Sequence, residues 1–105
     1  MTLAVRFDPA AQDELDAAHD WYERESPGVG AEFLVEVRRA AHGVADWPGI
    51  GLLDEVPGTS REVRRAVVER FPYGIAYVVL DDVLWVVAVV HERRRPGYWH
   101  DRLPR

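Results

Sequence analysis

At 105 residues, 48% of them apolar, the chain has the length of one domain with one core, residues 1–105, and is too short for a two-lobed enzyme. It has no cysteine, which excludes disulfides, thiolate catalysis and cysteine-based zinc sites, and it opens on no basic-then-apolar leader, so a cytosolic protein without a membrane span is expected. The net charge of −5 argues against nonspecific coating of nucleic acid, yet it hides a division: residues 1–60 hold 4 Arg against 12 Asp/Glu, residues 61–105 hold 9 Arg against 6, and there is no lysine.

Residues 2–7 (TLAVRF) predict a short strand with Leu3, Val5 and Phe7 on one face. Asp8-Pro9 supplies a helix N-cap followed by proline at the first helical position. Ala11, Leu15, Ala18 and Tyr22 then recur at helical spacing to about Glu25, with Asp13, Glu14, Asp16, Asp20 and Glu23 mostly outside the apolar stripe. Ser26-Pro27-Gly28 breaks this helix. A second begins near Gly30, buries Phe33, Val37, Ala40/Ala41 and Val44, and stops before Trp47-Pro48-Gly49. The pair reads as an αα-hairpin.

Residues 47–60 are punctuated by Gly and Pro and are expected to form a loop. Strands follow over Arg61–Phe71, Tyr73–Leu80 and Val83–Val90, with Asp81-Asp82 as a two-residue hairpin turn. The last run is apolar on both faces, which suits a strand covered on both sides. Pro72 implies a bulge, an edge or a break in pairing, and Phe71, Tyr73 and Tyr77 are expected in the core or on a sheet face. The order is β-α-α-β-β-β with a tail. This is an α+β fold in which an N-terminal strand and a helical hairpin pack on a small, mainly antiparallel sheet.

Several chemical signals fail. Gly28-Val29-Gly30 lacks the third glycine and the preceding strand of a dinucleotide fingerprint, and His91-Glu92 lacks the second histidine of a zinc-protease motif. His19, His42 and His100 have no ligand spacing, so no metal and no cofactor are expected. What survives is the run His91-Glu92-Arg93-Arg94-Arg95-Pro96-Gly97-Tyr98-Trp99-His100 at the exit of the most apolar strand. Arg93, Arg94, Arg95, Tyr98 and Trp99 could grip phosphates and stack a base, or anchor a protein partner. Equally, the arginines could pair with the acidic helices while the two aromatics cap the core edge. Arginine cannot act as a general base near neutral pH, so an RNA-cleaving site would have to draw on His91 as base, Arg93 as cation and Tyr98 as acid.

In order along the chain, Phe7-x-Pro9, Glu14-Leu15, Trp21-Tyr22-Glu23, Pro27-Gly28-Val29-Gly30, Phe33-Leu34, Arg70-Phe71-Pro72-Tyr73, Tyr77, Ala88-Val89-Val90-His91, Arg94-Arg95-Pro96-Gly97-Tyr98-Trp99 and Arg102-Leu103 resemble the RelE/ParE toxin superfamily of type II toxin–antitoxin systems, in particular its plasmid-stabilisation branch. The resemblance implies a growth-inhibiting toxin. Its partner would be a cognate antitoxin, a small DNA-binding protein with a disordered C-terminal segment, and neither a membrane nor a small-molecule substrate is implied. One branch of the superfamily cleaves mRNA on the ribosome, and the other acts on DNA gyrase. Where both often place an arginine after the tyrosine, this chain has Gly74. Where the nuclease branch carries lysines in the preceding strand, it has only Arg65, flanked by Ala66 and Val67. With a pI near 5.3 as well, the reading leans to the gyrase-directed branch. The alternatives are a ribosome-dependent endoribonuclease using His91, Arg93, Tyr98 and Arg65, and a degenerate interaction module without toxicity.

Overall fold

The computed structural model describes residues 2–103. Strand β1 (Ala4–Phe7) leads into α1 (Pro9–Glu25), which Asp8 caps by accepting from the Ala10 amide at 2.9 Å. Helix α2 (Val29–Asp46) runs back beside it. Strands β2 (Leu52–Asp54), β3 (Val63–Val68), β4 (Tyr73–Leu80) and β5 (Val83–His91) follow. The sheet order is β1-β5-β4-β3-β2. Among the described residues β1 pairs with β5 in parallel and the other neighbours are antiparallel.

The helical hairpin closes on a carboxylate. Gly28, in the left-handed conformation at the start of α2, has no side chain to cap with. Glu23 of α1 supplies the cap, accepting from the amides of Gly28 at 3.0 Å, Gly30 at 2.8 Å and Ala31 at 3.3 Å. The buried faces are those the periodicity predicts: Ala11, Leu15 and Ala18 from α1, and Phe33, Val37, Ala41 and Val44 from α2. They meet Val68, Ile75, Tyr77, Leu84, Val86 and Val89 of the sheet. Tyr22, Phe33, Phe71 and Tyr73 form a chain of edge-on and tilted ring contacts at 4.9–6.3 Å beside this core.

One expectation needs correction. Residues 47–60 are not all loop, because a turn of 3-10 helix at Pro48–Ile50 leads into β2, which pairs with β3. The cause lies 26 residues away. The Tyr77 hydroxyl donates to the Pro48 carbonyl at 2.7 Å and accepts from the Gly51 amide at 3.2 Å, pulling this segment onto the sheet edge. Alternation along β5 is broken once. Ala76 pairs with Ala88 but Tyr77 pairs with Val86, so Val87 is an extra residue. This bulge turns Val87 and Ala88 to the same side and puts Val89, rather than Ala88, against the helices.

The opposite sheet face has its own cluster, built from Val63, Ala76, Val78, Val87 and Ala88. The C-terminal tail folds back over it, with Trp99 at its centre, and ends in a turn of 3-10 helix at His100–Arg102. β5 is therefore covered on both faces, as its composition predicts.

Candidate functional site

β1 ends opposite Val86, where the Asp8 amide still donates to the Val86 carbonyl at 2.9 Å. Beyond that point, among the described residues, this edge of β5 has no strand beside it, and side chains satisfy polar groups there instead. The Val89 amide donates to Glu14 Oε1 at 3.1 Å, and Arg102 Nη1 donates to the Val87 carbonyl at 3.2 Å. Arg102 also forks onto Glu14, with Nη1 to Oε1 at 2.8 Å and Nη2 to Oε2 at 3.2 Å. The Tyr98 hydroxyl donates to Glu14 Oε2. One carboxylate on α1 thus receives a backbone amide, a phenol and a bidentate guanidinium.

This cluster was only partly legible in the sequence. Glu14 stands three residues after Ala11 and four before Ala18, on the flank of the buried stripe, and a carboxylate at that spacing was the available signal. Read by periodicity alone, it falls among the acids mostly outside the apolar stripe. Glu14 and Arg102 side chains are only 17% and 20% exposed, so this pair is far better shielded from water than the surface pairs Arg65–Asp54 and Arg70–Glu32.

The electrostatics follow from the geometry. Burial, and then the hydrogen bond and negative charge of Glu14, push the Tyr98 hydroxyl far above its ordinary range. Arg102 is raised by its own hydrogen bonds to the same carboxylate. Tyr98 is therefore a fixed neutral donor and is not poised to exchange a proton.

The other predicted residues scatter around this centre. Arg93, Arg94 and Arg95 are exposed on the turn between β5 and Tyr98, and among the described residues none of them makes an ion pair. The Arg94 guanidinium lies 4.0 Å from the centre of the Tyr98 ring. His91 stands edge-on to Tyr73 at 5.0 Å, and its Nδ1 accepts from the Arg93 amide at 3.0 Å. Neutral His91 then carries its proton on Nε2 and has no free lone pair. Arg65 is held on β3 by Asp54 at 3.1 Å.

Trp99, expected among the target-binding aromatics, is 3% exposed and forms the core of the tail-side cluster. The indole fills the apolar face left open by Ala76 and Ala88, and burial there outweighs any surface role. The alternative in which Arg93–Arg95 pair with the acidic helices is not seen among the described residues; the arginines that do pair with the helices are Arg102, with Glu14, and Arg70, with Glu32 at 3.4 Å.

A groove of ≈ 610 Å³ runs along the tail-side face of the sheet beside this cluster, lined by Val67, Gly74, Val90, His91, Arg94 and Trp99. Gly74 keeps its floor open. Among the described residues no group of His, Asp or Glu side chains could hold a metal ion, and no helix is long and apolar enough to cross a membrane.

A family model described as the ParE toxin of the type II toxin–antitoxin system parDE matches residues 5–96. No curated protein matches the chain. Among solved structures, a chain titled "Chromosomal ParDE TA system from P. aeruginosa" is similar in fold, with a TM-score of 0.71 at 20% identity over 86% of this chain and 96% of that one. With the family match spanning nearly the whole fold, from β1 to the arginine turn, the chain belongs to the ParE toxin family of type II toxin–antitoxin systems.

Proposed function

We propose that this toxin component acts in the cytosol by binding DNA gyrase, without cutting RNA, and that a cognate antitoxin neutralises it. One observation carries the reading: of the set an RNA-cleaving site would need, the base, the acid and Arg65 are each engaged elsewhere, and only the cation Arg93 is left open. The His91 Nδ1 lone pair is taken by the Arg93 amide, the Tyr98 hydroxyl is given to Glu14, and Arg65 is paired with Asp54. A general base needs a free lone pair and a general acid needs a proton it can release, and neither condition is met. The arginine turn, in contrast, is free to bind. Arg93, Arg94 and Arg95 offer planar donors to carboxylates or phosphates. Tyr98 backs Arg94 from below, and Trp99 supports the turn from within the core.

The antitoxin is proposed to be a small DNA-binding protein with a disordered C-terminal segment. The charge division suggests that this segment is basic where it meets the acidic helices and acidic where it meets Arg93–Arg95.

The test is a pair of assays on the purified protein. Inhibition of gyrase supercoiling with ribosome-bound mRNA left intact is the expected result, and combined R93A/R94A/R95A substitution should reduce it at least tenfold. Cut mRNA with normal supercoiling would establish the endoribonuclease alternative. Activity in neither assay, with normal growth on induced expression, would establish the degenerate module.

A further inference from the structure

We infer that Glu14 is the positioning residue for the Arg93–Arg95 turn, a role that rests on the reading of that turn as the target-binding surface. The turn leaves β5 after His91 and returns at Tyr98, and Glu14 holds it at both ends. Upstream, Oε1 accepts from the Val89 amide at 3.1 Å. Downstream, Oε2 accepts from the Tyr98 hydroxyl, and Arg102 binds both oxygens. The intervening residues Glu92–Pro96 are exposed, and among the described residues the three arginines have no ion pair of their own. Among the described residues, the turn is held by the Glu92 amide on the Pro72 carbonyl at 2.9 Å, the Arg93 amide on His91, the Arg94 amide on the His91 carbonyl at 3.0 Å, the Tyr98 amide on the Arg95 carbonyl at 3.4 Å, and the Arg94 stack on Tyr98. The last two depend on where Tyr98 stands, and Glu14 fixes that.

The chemistry of the position follows from the sheet. β1 stops at Val86, and the bulge at Val87 turns the β5 edge just where no strand covers it. A carboxylate two turns along the helix that β1 leads into reaches this gap and accepts what a strand would have accepted. Because the same carboxylate also holds the tail, it ties the tail return to the strand exit, which is otherwise held only from the β4 side by His91 against Tyr73 and by the Glu92 amide on Pro72. A docking surface built on rigid supports keeps its charges in one geometry and avoids ordering them at the moment of binding.

The position is tested with Glu14→Ala, Glu14→Gln and a control, Val44→Ala, which loosens the helix-side core at a distance from the turn. Hydrogen exchange of the Val89 and Arg93–Arg95 amides is measured by NMR, in parallel with gyrase inhibition. Glu14→Ala should speed Val89 exchange at least tenfold relative to the core amides of β4 and lower inhibition at least tenfold. Glu14→Gln keeps an acceptor for Val89 and a polar partner for Tyr98. It should restore inhibition to within about threefold of the parent chain. Val44→Ala should lower the thermal midpoint and leave both readouts unchanged. Unchanged exchange at Val89 and the turn in Glu14→Ala overturns the inference, as does full inhibition by a Glu14→Ala protein whose turn has loosened. A parent chain that fails to inhibit gyrase refutes the proposed target instead. The exchange measurement then still decides whether Glu14 holds the turn.

Discussion

Two glycines in α2 face opposite consequences from the same substitution. At Gly30 an added Cβ would lie 2.7 Å from the backbone oxygen of His19 and 2.5 Å from Cγ of Glu23, both inside the 3.0 Å that real Cβ atoms respect. The His19 oxygen belongs to the α1 backbone, so relief requires the two helices to separate there by at least a few tenths of an ångström. The Glu23 methylene must move as well, which shifts the carboxylate that caps α2. Overpacking of this kind costs about 1–3 kcal/mol. The helical preference for alanine over glycine offsets about 0.5–1 kcal/mol of that. Gly30→Ala is therefore expected to destabilise by about 1–2 kcal/mol, a fall in thermal midpoint of about 4–10 °C for a domain this size.

Gly43 has nothing within 4 Å of the same added atom and lies in the same helix. Gly43→Ala should gain about 0.5–1 kcal/mol from propensity alone. The assay is urea denaturation followed by circular dichroism, with thermal melts alongside, on the two single variants and the double. Equal signs for the two substitutions would refute the reasoning. A stabilised Gly30→Ala would show that the helices do not approach as closely as the geometry requires.

Tyr77→Phe removes the hydroxyl that holds Pro48 and Gly51 and should cost about 1–2 kcal/mol, with faster amide exchange confined to residues 48–54. The Glu23 carboxyl is held below its ordinary value of 4.5, chiefly by the Gly28 amide, with Ala31, Gly30 and the charge of His19 adding to it. The stability it supplies is complete above that value and is lost as pH falls through the lower folded-state value. Acid denaturation should therefore be shallower in Glu23→Gln than in the parent chain. Tyr98 has the opposite sign. Its value is raised above 10.0 on folding, so its contribution is complete below pH 10 and declines as alkali ionises it. Tyr98→Phe should flatten the alkaline slope without abolishing it, because burial also raises Tyr22, Tyr73 and Tyr77.

What was legible in the sequence was local. Helix faces announce themselves at a period of 3.6 residues, and Ala11, Leu15, Ala18, Phe33, Val37 and Val44 are buried where that period places them. Asp8-Pro9 and Pro27-Gly28 mark helix ends because capping and proline chemistry act within a few residues. A strand apolar on both faces has to be covered on both sides, and β5 is. The arginine turn too could be located from its neighbours, since a covered strand must exit somewhere.

What escaped was every feature whose cause lies far along the chain. β2 exists because Tyr77 reaches back to Pro48 and Gly51, and no property of residues 47–60 alone encodes that. Composition and periodicity in β5 cannot reveal that Val87 is the residue to bulge, since the choice depends on register with β4. For Trp99 the sequence leaves open a binding aromatic and a cap on the core edge, and only the tail folding back across the sheet decides for the core.

By itself, then, the sequence determined an acidic helical hairpin, a sheet with an arginine-rich end, and an order of elements matching one toxin family. Only the tertiary structure decided how that end is held. Glu14 was one of many acids on α1 until the early end of β1 and the bulge at Val87 brought the open edge of β5 within its reach. Local preferences act between neighbours, whereas an unpaired backbone edge is satisfied by whatever the fold brings to it.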